Sequence, residues 1–178
     1  MSYGLSNVLD EKTTEIHKEY LRRQKLRYSV LEKSCPLIVG KGIFEIPRLK
    51  GIPSDIKREA LLLGSDIMLH EIYFDSFGVE HSSSALVKKN FRQESTFIYS
   101  LFESAREAKD GFLTVYVSGD EVVTDIIPTG EALRCRPVLS VDLCEHAYLF
   151  DFGFERDEYL KRVLPRLKLN VLDKFLQS

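Results

Sequence analysis

Histidine is scarce in this chain of 178 residues, occurring only at His17, His70, His81 and His146. Any role that needs three imidazoles therefore leaves almost no choice of residue. Cysteine is scarcer still, and Cys35, Cys135 and Cys144 form an odd set without Cys-x-x-Cys spacing. That pattern argues against a disulfide framework and a zinc ribbon, and suits a reducing cytoplasm. Tryptophan is absent. No charge of one sign dominates, since the net charge is −2 with 29% charged residues, so nothing points to a nucleic-acid partner. No apolar run reaches transmembrane length, so no membrane partner is expected. The opening stretch MSYGLSNVLDEKTTEIHKEYL is polar and acidic within its first dozen residues, unlike a signal peptide. Internal repeats and low-complexity tracts are lacking too.

What is there suffices for a core: 44% of the residues are hydrophobic, enough for one domain or two small subdomains. Residues 10 to 33 are rich in helix formers, with Ile16, Tyr20, Leu21, Tyr28 and Leu31 on an amphipathic stripe that His17 shares. Cys35-Pro36 ends that helix. The stretch 36–53 carries Gly and Pro punctuation and reads as a loop with a short ribbon. A second helix is expected from Ser54, a good N-cap, to Gly78, a good C′ residue, with Asp66, His70, Phe74 and Phe77 on one stripe. The serine run at 82–84 reads as a linker, followed by a helix or helix pair over 85–109. FLTVYVSGDEVVTDIIP predicts a hairpin turning at Ser118-Gly119-Asp120, and RPVLSVDL a third strand leading into helices that Pro165 interrupts. The order of elements predicts an α+β fold. An N-terminal antiparallel helical hairpin, residues 1–82, precedes a C-terminal domain, 83–178, with a three-stranded antiparallel sheet and surrounding helices.

One stretch raises a chemical question. In VDLCEHAYLFDF, Asp142 closes an apolar strand, His146 follows four residues later, and Glu145 stands beside it. Such charges at the end of a buried strand are costly unless a metal, another subunit or hydrogen bonds pair them. His17 and His70 also lie on apolar stripes. Imidazoles with one carboxylate suit iron, manganese or zinc better than copper(I) or calcium.

At this point the chain resembles the iron/manganese superoxide dismutases, over nearly its whole length and in the order of elements. Asp142-Leu143-Cys144-Glu145-His146-Ala147-Tyr148 is similar to that family's Asp-x-Trp-Glu-His-Ala-Tyr. Arg156-Asp157-Glu158-Tyr159-Leu160 resembles its Arg-Pro-x-Tyr-Leu, and Leu69-His70-Glu71-Ile72-Tyr73-Phe74 its Asn-His-x-x-Phe-Trp. Tyr3-Gly4-Leu5 and Ile16-His17 resemble the tyrosine-led segment and the first ligand histidine. The resemblance implies four metal ligands, His17, His70, Asp142 and His146, holding one iron or manganese per subunit. It also implies superoxide as substrate, disproportionated to oxygen and hydrogen peroxide, and a homodimer in which Glu145 bonds across to the last ligand histidine of the other subunit. His81 falls outside every match and reads as a surface loop residue.

The chain also departs from the family. Lys25 stands eight residues after His17, where the family keeps a tyrosine at the mouth of the substrate channel. It reads either as a charge attracting superoxide or as a solvated helix-face lysine. Asp66 and Ile126 occupy the two family locations of an outer-sphere glutamine. Asp66 could hydrogen-bond toward the metal as glutamine would, or point elsewhere into an ion pair. Phe74, Phe112 and Cys144 stand at tryptophan positions, with Asp110 at the preceding turn. Cys144 is either a packing residue or an oxidisable thiol. Tyr20 and Tyr28 offer either a substitute hydroxyl or core packing. Leu21 and Leu149 replace a His–Tyr pair that spans the family's dimer interface, a coupled change that leaves no stranded polar group and implies a drier interface. A metal-binding protein of this fold with altered redox chemistry, or without dismutase activity, is the alternative.

Overall fold

Asp10 starts the first long helix by accepting a hydrogen bond from the Lys12 amide at 2.8 Å, satisfying a donor that the first turn leaves free. A computed structural model of the protein describes residues 4–78 and 82–176. This helix, α1 (Glu11–Ser34), turns His17, Gln24 and Leu31 inward and ends at Cys35-Pro36. The expected ribbon in the 36–53 connection is not formed. Two 3₁₀ turns, Pro36–Ile38 and Ile46–Arg48, stand in its place, each with a proline inside its first two positions.

The second long helix, α2, runs Ser54–Asp75. Its cap is Pro53 and not Ser54, which is the first helical residue and makes no capping bond. The Pro53 carbonyl already accepts from Lys57 N at 2.9 Å, so the helix begins one residue earlier than its best capping side chain. At the other end it stops short of Gly78. Phe77 bridges to Leu167 and the Gly78 amide donates to the Arg166 carbonyl at 2.9 Å, so tertiary pairing draws the backbone out of the helix. His17 meets His70 near the end of α2 while Tyr28 lies against Gly64, so the two helices run antiparallel. A Cβ on Gly64 would lie 2.3 Å from Ile43 Cγ2, which is why α2 carries no side chain there.

Helices α3 (Ala85–Phe91) and α4 (Glu94–Glu107) follow, then the antiparallel strands β1 (Phe112–Ser118), β2 (Glu121–Ile127) and β3 (Leu139–Asp142), in the order β2-β1-β3. The β1–β2 turn passes through Gly119 at φ +59°. In the register, Phe112 stands opposite both Ile127 and Asp142, which brings the end of β3 to the start of the central strand. Short helices α5 (Leu149–Phe152) and α6 (Arg156–Val163) complete the chain, with Pro165 inside a 3₁₀ turn. Arg156 closes the far end of α4 by donating to the carbonyls of Ala105 (3.1 Å) and Ala108 (2.7 Å). The main core joins Tyr73, Phe74 and Phe77 of α2 to Leu101, Leu113, Val115, Leu139, Tyr159 and Leu164. The mixed helix and sheet architecture is the expected α+β fold. Among the described residues no helix is long and apolar enough to cross a membrane.

Candidate metal centre

Four ligand atoms converge where α1, α2 and the end of β3 meet. The period of α1 sets His17 inward at 0% exposure, and its Nδ1 lies 3.1 Å from the Thr13 carbonyl one turn back. On α2, His70 Nδ1 lies 2.8 Å from the Asp66 carbonyl in the same manner. Each imidazole thus has its Nδ1 occupied by its own helix and its Nε2 turned toward the carboxylate of Asp142. Asp142 ends β3, and its Oδ1 accepts the Cys144 amide at 2.9 Å, leaving Oδ2 for the cluster. From Asp142 Oδ2 the distances are 2.8 Å to His146 Nε2, 3.4 Å to His17 Nε2 and 3.5 Å to His70 Nε2. The ligand atoms of His17, Asp142 and His146 lie within 4.8 Å of one another.

All four of these atoms are buried without a hydrogen-bond partner among the described residues. One orphaned buried polar atom is expensive, and three drawn together in this way, with His70 Nε2 outside their group but 3.5 Å from Asp142 Oδ2, need a common partner. Three imidazole nitrogens and one carboxylate oxygen, with His17, His70 and Asp142 held from behind, fit a first-row transition metal. Burial pushes the Asp142 carboxyl up, but the charge of His146 beside it, with the nearby rings of His17 and His70, outweighs burial and holds it well below its ordinary value. Burial pulls His70 down, whereas the nearby carboxylates of Asp142 and Asp66 raise it to about 10. The cluster therefore calls for positive charge at its centre.

The surroundings fix the carboxylate's backbone. Tyr159 donates to the Asp142 carbonyl at 2.8 Å and accepts from the Tyr73 hydroxyl at 3.0 Å, and Tyr73 in turn packs against His17. Phe112 sets its edge on His70 at 5.0 Å between ring centres, and Phe74 meets His17 edge-on at 6.3 Å. Cys144 Sγ contacts the Thr129 hydroxyl and the Gly111 carbonyl. Burial first, and the Asp142 charge second, push this thiol up to about 12, so at neutral pH it is not a thiolate.

A cleft of about 1110 Å³ opens onto the cluster, and Tyr20, Gln24, Asp66, His70, Phe112 and His146 are among its lining residues. His146 is the ligand nearest solvent, its side chain 31% exposed. Tyr20 stands on the open side, with its ring 4.8 Å from that of His70 and 5.0 Å from that of His146, nearly parallel to the latter. Burial, with the neighbouring Asp66 carboxylate second, pushes its hydroxyl up to about 12. Asp66 brings Oδ1 to 3.4 Å of His70 Nδ1 and faces the same cleft. Lys25 faces a different recess, its ammonium 2.7 Å from Glu71 with both groups half exposed. Tyr28 is remote from the cluster and packs beside Leu31 and Ile38. Ile126 packs against the main core, so no polar group enters from β2 at that position. Leu21 is half-buried against the same core, while Glu145 and Leu149 are exposed beside His146. Tyr3 and His81 lie outside the described residues.

Gln24 is the site residue that pattern reading passed over. Positions 17, 20, 24, 28 and 31 share the inward stripe of α1, and an amide in that stripe was the available signal.

Comparison with curated proteins returns no match. The family model for the C-terminal domain of iron/manganese superoxide dismutases matches residues 80–174, more than half of the chain. That span contains the three-stranded sheet, Asp142 and His146, while His17 and His70 arrive from the helical hairpin outside it. The chain belongs to the iron/manganese superoxide dismutase family.

Proposed function

We propose that the protein is a superoxide dismutase-like oxidoreductase that holds one iron or manganese through His17, His70, Asp142 and His146. The observation that carries this reading is the convergence of three unpartnered Nε2 atoms on the unpartnered Oδ2 of Asp142. The chemistry supplied by a bound iron or manganese is one-electron exchange: one superoxide is oxidised to oxygen, and a second, taking two protons, is reduced to hydrogen peroxide. The protein's part is to bind, orient and exclude. Three neutral imidazoles and one carboxylate bring a single negative charge, so the site stays positive around a divalent or trivalent ion and attracts a small anion. The thickly packed aromatic side chains of Tyr73, Phe74 and Phe112 close the core side, so superoxide approaches along the cleft past Tyr20 and His146.

Of the two polar residues singled out by comparison with the family, Asp66 is proposed to act at the site, since it lies beside His70 on the cleft wall. Lys25 is proposed to contribute little to the field at the site, because Glu71 offsets its charge at 2.7 Å and solvent screens the exposed pair. The chain is read as two domains, 1–82 and 83–178, that share the metal. A homodimer through Glu145, Leu21 and Leu149 is proposed from the same family resemblance. Three unpaired cysteines fit a reducing compartment such as the cytoplasm.

The test is elemental analysis of the purified chain paired with a superoxide-removal assay on the same sample. Near-equimolar iron or manganese, with dismutation that disappears in His17→Ala together with the metal, is the expected outcome. Metal retained without dismutation above that of the free ion would instead favour a metalloprotein of altered redox chemistry. The observation favouring that second reading is that neither Asp66 nor Ile126 supplies the outer-sphere glutamine.

A further inference from the structure

The far end of the helical hairpin is charged unlike the rest of the molecule. Of the chain's 25 bases and 27 acids, residues 22–50 hold eight bases and only two acids, Glu32 and Glu45. A chain of net charge −2 thus carries +6 at this end and −8 elsewhere. All eight bases are exposed. Arg22 and Arg23 share Glu19, Lys25 meets Glu71, and Arg27 bonds Gln24 in the cleft wall. Lys33, Lys41, Arg48 and Lys50 have no side-chain partner among the described residues. The same stretch leaves large apolar side chains in solvent: Leu26, Val30, Leu37 and Val39 are each between 52% and 64% exposed. The period of α1 sets Leu26, Val30 and Lys33 opposite Gln24 and Leu31, which face inward. Leu37 and Val39 flank the buried Ile38 just past the end of α1, and Leu37 lies against Gly51, beside Lys50.

We propose that this end of the hairpin docks on an anionic lipid surface, with Val30, Leu37 and Val39 entering the headgroup layer and Lys33, Lys41, Arg48 and Lys50 meeting the lipid charges. A contact of this kind lies on the membrane and needs no spanning helix. Lysine and arginine stems run along apolar surface while their heads stay with the phosphates and carboxylates. The −8 of the rest of the molecule is repelled by the same surface, so attraction and repulsion together orient the chain with this end down. A second copy in this place would set +6 against +6. A nucleic acid would answer the charge but leave the apolar groups idle. Bases stack on aromatic faces, and here the exposed apolar groups are aliphatic, with Tyr28 and Phe44 packed into the hairpin. His17 stands about 25 Å back along α1 from Ser34, so docking leaves the ligand cluster clear of the lipid.

The experiment is co-sedimentation of the full chain with vesicles of phosphatidylcholine alone and with vesicles containing about one-third phosphatidylserine. Binding to the anionic vesicles is expected to be tighter by about tenfold or more, and to weaken as salt is raised. Lys41→Gln with Lys50→Gln should weaken it about tenfold at low salt and change little at high salt. Val30→Ser with Val39→Ser should weaken it about tenfold at every salt concentration. These side chains are exposed, so thermal melts of both variants should match the native chain, and metal content and superoxide removal should be unchanged. Equal binding to the two kinds of vesicle overturns the proposal, as does a Val30→Ser/Val39→Ser variant that binds as the native chain does. A single-stranded oligonucleotide that strips the chain from vesicles and binds that variant undiminished would assign the surface to nucleic acid instead. Absence of vesicle binding, with a lower association state in the same variant, would assign it to a second copy.

Discussion

At the residue scale the site depends on groups that never touch the metal position. Tyr159 is the clearest of them, because its hydroxyl is both donor and acceptor: it gives its proton to the Asp142 carbonyl and takes one from Tyr73. Both phenols are fully buried, and burial pushes each well above its ordinary value, so they stay neutral and can only hydrogen-bond. Tyr159→Phe strands the Asp142 carbonyl and the Tyr73 hydroxyl together, and should cost about 2–3 kcal/mol of stability. Tyr73→Phe leaves Tyr159 still bonded to the carbonyl and should cost about 1 kcal/mol. The double variant should cost less than the sum, since the second loss removes a group the first had already orphaned. Urea denaturation of the four proteins checks the order. Equal losses for the two single variants would mean that the bond to the Asp142 carbonyl contributes nothing.

At the element scale, short segments depend on side chains from distant parts of the chain. Helix α3 is seven residues long, below the length at which a helix is stable alone. Asp173 supports its first turn from the far end of the sequence, accepting from the amides of Ala85 (3.1 Å) and Leu86 (3.0 Å) and from the Ser84 hydroxyl (2.6 Å). Burial pushes this carboxyl up, but the Leu86 amide, the Ser84 hydroxyl and the Ala85 amide together bring it below its ordinary 3.8. A carboxyl lowered in the folded state contributes stability that is present above the unfolded value and lost as pH falls through the folded one. Asp173→Ala should therefore destabilise by about 1–2 kcal/mol at neutral pH. The gap from the native chain should narrow as the pH is taken below 3.8, followed by thermal melts across that range. Long elements with a clear period, α1, α2 and the 112–127 hairpin, were legible in sequence because their burial pattern is local. Helix ends were not: Ser54 is the better capping side chain, yet Pro53 is the cap, and Gly78 is drawn into pairing with Arg166. The four clustered residues were reachable through a family motif. The setting of Tyr20 and Gln24 was not, since it depends on the rotation of α1 against α2, which no local pattern encodes.

At the scale of the whole molecule, the side of the site that carries His146 also carries apolar surface. Phe154 is 86% exposed, Phe150 55% and Leu149 38%, all within ten residues of the last histidine. Lys12 covers Phe150 only partly, with its ammonium 4.8 Å above the ring. Three large exposed apolar side chains so close in sequence suit an interface better than a solvated face, where such groups are scattered singly. A second copy of the chain placed there, as proposed above, would cover Glu145 at the rim of the cleft and narrow a space far roomier than a diatomic anion needs. Association would then do what the open chain does not, excluding water from the most exposed ligand. Sedimentation equilibrium of the native chain should give a dimer. Phe150→Asp combined with Phe154→Asp should weaken association roughly a hundredfold or more, equivalent to about 2.8 kcal/mol, by placing charge where apolar contact is lost. Because none of the substituted side chains belongs to the metal cluster, the monomeric variant should keep His17, His70 and Asp142 in place and retain its metal, while its dismutation falls as His146 is opened to solvent. A native chain that sediments as a monomer at full activity would place the function entirely within one subunit.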